Sequence, residues 1–558
     1  MLICIVLKNI QIKRKKGKKV NFNKVCKKIG VAVLSFSLLA SVVAPYQATG
    51  AKAPALNKKN VTVNVGKTVT VKIKNGAKKA KVTWKVNNKK AVKIAKKTKK
   101  LAKLKGVKAG KAKLTAKYVY GKVKKTLRCT VTVVDKRVDV TPAPQDATPT
   151  PSAAITENPA PTAEPTAEPT EVPREWVSTW GTAEEKCDTT ANAMPQLPLA
   201  DSTVRQMIKV TTSSDKMRIK LSNQYGRSDV VIKSLHVAKQ VEADKSTIDP
   251  ETDTVVTVDG YEDFVIPAGQ KIVTDEIEFS VDALDLVAIT AYFESAPTNN
   301  VTGHRGARAT TYQVAGNHVS DETFSSPKTT TSWFFLADVS LLMPQGSKAV
   351  VCFGDSITDG YGTDADYLGK KPNSYTRWGD YFAKRLQENE GTKNVSVINE
   401  GIGANSMMGA YPTDAGKDRF ARDLLEHDGV GYCIVLFGVN DLDKLSNTNK
   451  FNQLKPEYEK MVALAHENDI KIYAAPILPF GTSSYYNENS EKVRTMLNDW
   501  MRSEESGFDG IIDFESALAD PANPKNIKYE YTRDDGLHPY EGYSVMADAI
   551  DLSMFETK

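Results

Sequence analysis

At about Ala349 the hydrophobic rhythm of this 558-residue chain changes. Upstream, apolar and polar residues alternate in short runs. Downstream, continuous apolar runs of strand length appear: Ala349 to Phe353, Tyr432 to Phe437, Ile472 to Leu478 and Gly510 to Phe514. Between them lie helical patterns. Trp378, Tyr381, Phe382 and Leu386 share one helix face, as do Val493, Met496, Leu497, Trp500 and Met501. A strand apolar on both sides must be covered on both sides. The alternation therefore predicts an α/β/α three-layer domain with a parallel sheet over residues 346–558. Such sheets bind ligands beyond the carboxyl ends of their strands.

Four short segments fall at those ends: Gly354-Asp355-Ser356-Ile357-Thr358-Asp359, Asn399-Glu400-Gly401-Ile402-Gly403-Ala404-Asn405, Gly438-Val439-Asn440-Asp441 and Asp535-Gly536-Leu537-His538. The first follows the Ala349–Phe353 run, the second the short run Val395 to Ile398, and the third the Tyr432–Phe437 run. The fourth precedes a last helix expected over roughly 540–555. A serine, an Asp/His pair and several N–H donors are the parts that acyl transfer requires. Each segment alone is an ordinary turn or cap; the four together at one sheet edge are not.

This arrangement resembles the SGNH (or GDSL) hydrolase superfamily, which has a flavodoxin-like fold. The resemblance implies that Ser356 is the nucleophile, that His538 takes and returns its proton, and that Asp535 holds the imidazole. It implies an oxyanion hole formed by the Ser356 N–H, the Asn440 side-chain amide and one N–H from the second segment. The family usually reads Asn-x-Gly-x-x-Gly-Asn/Asp there, with the last glycine as donor. Here Ala404 takes that place and a glycine stands at 403. Either Ala404 or Gly403 donates, and Ala404 is preferred. Its methyl group restricts φ and narrows the pocket, which implies slower turnover or a smaller tolerated acyl group. Thr358 stands where an α/β-hydrolase elbow would have its second glycine. Asp359 reads as a loop anchor. His236, His304, His318, His427 and His466 lack a partner pattern and read as surface or internally satisfied residues. No metal site and no cofactor are expected.

Residues 175–345 read as an all-β sandwich, with strands at Met207–Val210, Met217–Leu221, Val230–Ile232, Thr254–Val258 and Ala288–Phe293. Trp176-Val177-Ser178-Thr179-Trp180-Gly181, Arg205-Gln206-Met207 and Leu221-Ser222-Asn223-Gln224-Tyr225-Gly226 resemble the sandwich that leads the catalytic domain in one secreted branch of that superfamily. A platform packed on the hydrolase is its expected role, and sugar contact through Trp176, Trp180 or Trp333 is the alternative. Residues 138–174, rich in Pro and Thr, read as a semi-rigid linker.

Residues 52–137 alternate in the manner of half-buried strands. Around Trp84 and the closing Thr130-Val131-Thr132-Val133-Val134 they resemble bacterial immunoglobulin-like surface domains. The charge is sharply divided: residues 1–134 hold 37 Lys and Arg and no Asp or Glu, while the rest holds 39 basic against 66 acidic residues. A basic module of this kind is either a solvated face or a binder of an anionic wall polymer. Nucleic acid is not expected as a partner, because the first 51 residues read as a secretory signal. A basic run from Lys13 to Lys28 precedes about 16 apolar residues, shorter than the roughly 20 of a spanning helix, and small residues lead to Ala51; an uncleaved membrane anchor is the alternative reading. No transmembrane segment is expected after cleavage. Cys129, Cys187, Cys352 and Cys433 show no paired spacing and read as buried hydrophobes.

The sequence thus describes a secreted or cell-surface, multidomain bacterial esterase whose expected substrate is an acetylated plant polysaccharide such as xylan. The other readings are the same chemistry on O-acetyl peptidoglycan or a lipid, and a wall-associated adhesin with an inactive hydrolase domain.

Overall fold

The computed structural model describes residues 54–134, 173–187, 197–409 and 413–556, apart from residues 57, 59, 66, 75, 76, 78, 121 and 122. The expected signal and nearly all of the expected linker lie outside the described residues. The chain divides into two units, Met1–Ala163 and Glu164–Lys558.

The first unit is built of β-strands alone among the described residues. One sheet runs in the order Asn60–Asn64, Val123–Val134, Gly110–Tyr120, Lys81–Val86, and the other in the order Ala55–Leu56, Thr68–Lys74, Leu101–Gly106, Val92–Lys97. Alternation does the sorting. Trp84 and Val86 are buried while Lys81, Thr83 and Lys85 are exposed. Val71, Val92, Leu104, Leu114 and Val131 close a core that belongs to this unit alone. The Trp84 indole N–H donates to the Thr98 carbonyl at 2.8 Å, so the ring is buried without leaving a donor unpaired.

In the second unit, β1 (Arg174–Gly181) is the edge of an antiparallel sheet and pairs with a strand that is here β4 (Leu336–Pro344). A second antiparallel sheet contains Ser202–Lys209 between Leu286–Ser295 and Thr311–Ala315. A small third sheet pairs β2 (Glu185–Cys187) with β3 (Val301–His304). Trp180 and Trp333 meet edge to face at 4.9 Å inside this sandwich and are 7% and 4% exposed, so neither offers a face to a sugar.

The period change at Ala349 becomes a parallel five-stranded sheet: β5 (Lys348–Gly354), β6 (Val395–Gly401), β7 (Val430–Leu436), β8 (Lys471–Ala474) and β9 (Gly510–Ile511). Its order is β6-β5-β7-β8-β9, the flavodoxin-like order in which the chain reverses direction beside the first strand. The helices α1 (Ser356–Asp359), α2 (Trp378–Gln387), α3 (Gly416–Leu425), α4 (Lys450–Glu467), α5 (Glu488–Arg502) and α6 (Tyr543–Asp548) connect or cover it. The third apolar run stops being strand at Ala474 because Pro476 has no N–H to give a ladder. The fourth stops at Ile511, and Asp513 caps a short helix by accepting the Ser516 N–H. The last helix, six residues long, is well under half as long as its apolar pattern suggests. Arg385 takes the carbonyls of Ala547 and Ile550, and a separate turn over Leu552–Phe555 starts with Asp551 as its cap.

The sandwich covers the open edge of the parallel sheet, which would otherwise present unpaired backbone groups. Thr182 bridges to Asn399 in parallel register. The Val397 N–H donates to Thr211 Oγ1 at 3.1 Å, and the Ser178 N–H donates to the Asp428 carbonyl at 2.9 Å. One continuous core runs through both regions, from Val177 and Trp180 to Val350 and Ile434.

Candidate active site

The first segment turns from β5 straight into α1. Gly354 is needed there, since a β-carbon would lie 2.1 Å from Thr358 Oγ1 and 2.8 Å from the Leu436 carbonyl oxygen. Asp355 caps the helix by accepting the Ile357 N–H at 3.0 Å, and burial raises its carboxyl to about 7. Ser356 is the first helical residue and is 6% exposed. Its own N–H is one of those a first turn leaves without an internal partner.

Ser356 Oγ lies 2.9 Å from His538 Nε2. His538 Nδ1 lies 2.8 Å from Asp535 Oδ2, so the carboxylate draws the Nδ1 hydrogen and leaves the Nε2 lone pair facing the hydroxyl. The tight Asp-x-x-His turn depends on Gly536 at φ 69°, where a β-carbon would meet Thr482 Oγ1 at 2.4 Å. The Tyr540 hydroxyl also donates to Asp535 Oδ2. Burial pushes the Asp535 carboxyl up, but the hydrogen bonds and charge of His538, with Tyr540, outweigh it and hold the group below its usual range. The Tyr361 ring packs on the imidazole with centroids 4.4 Å apart.

The remaining two segments close around the serine. Asn440 Nδ2 donates to the Asn405 carbonyl at 2.9 Å, and its Oδ1 accepts from the Tyr485 hydroxyl at 3.3 Å. The amide is thereby oriented with a second Nδ2 hydrogen to offer. Asp441 accepts the N–H groups of Met407 and Met408 at 2.6 and 3.1 Å. Asn399 Nδ2 donates to the Thr358 carbonyl at 2.7 Å, which ties the second segment to the first. Ala404 stands at φ 61°, so it adopts the left-handed conformation a glycine would have taken, at about 1–2 kcal/mol. Among the described residues no acceptor takes the N–H of Gly403 or of Ala404.

Ser356, Gly403, Ala404, Asn440 and His538 line one cavity of about 340 Å³. The sandwich supplies its other wall through Glu185, Arg305, Gly306 and Arg308. Asp359 also lines it. His304 Nε2 approaches Asp359 Oδ1 at 3.0 Å and Arg308 Nη2 donates to Oδ2 at 2.5 Å. Burial raises the Asp359 carboxyl, but Arg308 and His304 hold it well below the carboxylate range. The loop-anchor reading of Asp359 thus acquires its partners, and they come from the other fold region. His427 is a second such bridge: Nδ1 meets Asp338 of β4 at 2.6 Å and Nε2 meets Glu400 of β6 at 2.9 Å. Although burial opposes it, the two carboxylates raise the His427 imidazole to about 10.

Sequence reasoning missed the residues that organise this site from outside the four segments. Arg419 is wholly buried. It donates to Asn405 Oδ1, to the carbonyls of Glu400 and Gly354, and to Asp423. Its spacing of four from Asp423 on a helix was a readable signal. Glu185, Arg305 and Arg308 carried no signal, because nothing local distinguishes them from a solvated charge. Among the described residues no group of His, Cys, Asp and Glu has metal-holding geometry, and no helix is long and apolar enough to cross a membrane.

Residues 352–542 match the GDSL-like Lipase/Acylhydrolase family. No curated protein matches the chain. Similar solved structures include a GDSL-like lipase from Bacteroides thetaiotaomicron, at 19% identity over 37% of this chain and 88% of that one, with a TM-score of 0.28. A carbohydrate acetylesterase from Sinorhizobium meliloti is 19% identical over 36% of this chain and 95% of its own, with a TM-score of 0.28. An aryl esterase from M. smegmatis is 18% identical over 36% and 95%, with the same TM-score.

Proposed function

We propose that this chain, whose residues 352–542 form a GDSL-like lipase/acylhydrolase domain, is an exported serine esterase that removes short acyl groups, acetyl foremost, from a polysaccharide. The supporting observation is the relay from Ser356 through His538 to Asp535, set in a cavity with charged walls. Ser356 Oγ attacks the ester carbonyl as His538 Nε2 takes its proton. The negative oxygen is received by the Ser356 N–H, the Asn440 amide and an N–H of the Gly403–Ala404 loop. Collapse expels the alcohol, which leaves with the proton from His538. Water then repeats the sequence on the acyl-serine and frees the acid.

Arg305 and Arg308 stay partly exposed beside their buried carboxylate partners and make a poor bed for a long acyl chain, since apolar contact would remove their remaining water without adding a partner. They suit a hydroxyl-rich alcohol. Tyr361, 40% exposed, packs on His538, and Tyr367, 68% exposed, lies against Tyr540; both offer aromatic surface on which a sugar ring can stack. Acetate release from acetylated xylan and other acetylated glycans, by wild type and Ser356→Ala, tests the reading. Loss of at least about 10³-fold in the variant is expected. Equal rates, or a preference for long-chain lipid esters, defeat it.

Export rests on the pattern of the first 51 residues, and N-terminal sequencing of protein from culture supernatant tests it. The basic first unit is proposed to bind an anionic wall polymer. Retention on purified walls at low salt, released as salt rises, is the expected result.

A further inference from the structure

We infer that Arg305, a sandwich residue, is a positioning residue that aims the Ala404 N–H at the oxyanion; this rests on the serine-esterase reading above. Arg305 immediately follows β3. Its Nε donates to Glu185 Oε2 in β2, a carboxylate 1% exposed. Its Nη2 donates to the Gly403 carbonyl oxygen at 3.3 Å. That oxygen belongs to the same peptide unit as the Ala404 N–H. In a trans peptide the two groups point in opposite directions. A guanidinium that holds the oxygen therefore fixes the direction of the N–H, away from Arg305, in a loop whose Gly403 and Ala404 line the same cavity as Ser356 and Asn440.

This loop needs holding. Ala404 sits at φ 61° with a β-carbon, a conformation in which a residue other than glycine is strained. Rotating the Gly403–Ala404 peptide relieves such strain, but it turns the carbonyl inward and the donor outward. Arg305 opposes that rotation, because the rotated peptide loses its hydrogen bond. A lysine cannot substitute, since a single ammonium does not reproduce the fork that serves a carboxylate and a carbonyl together. The Lys186 N–H, also on β2, donates to Thr413 Oγ1 at 3.2 Å farther along the same loop. The sandwich thus grips the donor loop at two points and takes part in turnover. Of the two candidate donors, Ala404 is the one whose peptide Arg305 holds.

The test uses the full chain and p-nitrophenyl acetate. Arg305→Ala and Arg305→Lys are each expected to lower kcat about 10- to 100-fold with KM within about threefold. The pH profile of kcat/KM should stay in place, because His538 and Asp535 are untouched. Millimolar guanidinium should restore part of the Arg305→Ala activity. Arg305→Lys keeps a cation beside Glu185 and decides the matter if Arg305→Ala does not fold. A kcat within twofold of wild type in a folded variant, a loss confined to KM, or a displaced pH profile overturns the inference. Ser356→Ala separates this failure from the other: equal rates for it and wild type would overturn the esterase reading, and the Arg305 role with it.

Discussion

Residues 55–134 and residues 174–344 are both built of alternating strands, but they place their charges in opposite ways. In the first region Lys81, Lys85, Lys93, Lys103, Lys105 and Lys117 face solvent, and the apolar core closes on itself. In the second, Glu185, His304 and Asp338 are buried. Arg305 and Arg308 reach the Gly403 carbonyl and Asp359, and the core continues into the parallel sheet. A region whose charges all point outward needs no neighbour to satisfy them. A region that buries charge against another must keep that neighbour, because leaving one partner alone strands an unpaired ion. The two β regions therefore stand differently toward the chemistry, although their strand patterns look alike.

The harshest way to break this comparison is to delete residues 174–344. Doing so uncovers β6 and the apolar surface around Val350, and leaves His427 and Asp359 without Asp338, His304 and Arg308. The remaining hydrolase domain is expected to be insoluble and inactive; a soluble, active fragment would refute the distinction. Next come two point substitutions read by calorimetry. His427→Ala leaves Asp338 and Glu400 facing each other without their cation and should destabilise the second unit by about 3–5 kcal/mol. Trp84→Ala should cost about 3–5 kcal/mol in the first unit. Each should move one transition and leave the other in place, and a shared shift would show that the units melt together.

A smaller effect follows from pH. The His427 value is about 10 in the folded protein, against about 6.5 in an unfolded chain. A raised value contributes stability that is whole below pH 6.5 and disappears as pH climbs through 10. The stability of the second unit should therefore fall between those limits, by on the order of a few kcal/mol at most, its melting temperature should fall with it, and His427→Gln should flatten the slope. The smallest expected effect is that of deleting residues 1–163. The rate on a small acetate ester should change by less than about twofold, since the second unit supplies Ser356, His538, Asn440 and the cavity they line; a larger change would give the basic unit a part in catalysis.

The sheet, its helices and the four site segments were legible because their signals are local. An apolar run records a strand covered on both faces, a three-to-four spacing records one helix face, and Asp535 and His538 are near enough in sequence to meet through a single turn. The histidines show where this kind of reading stops. His304 and His427 looked alike and unassigned, and only the fold brings one to Asp359 and the other between Asp338 and Glu400.

What the amino-acid order determined by itself was which elements form, in what sequence they follow, and which side chains stand at the ends of the strands. The tertiary structure decided that the sandwich lies along β6 and lends the pocket Glu185, Arg305 and Arg308. Periodicity encodes which face of an element is buried but not what it is buried against. Arg305 and Gly403 are 98 positions apart, and the contact between them exists only after two independently patterned regions have packed together.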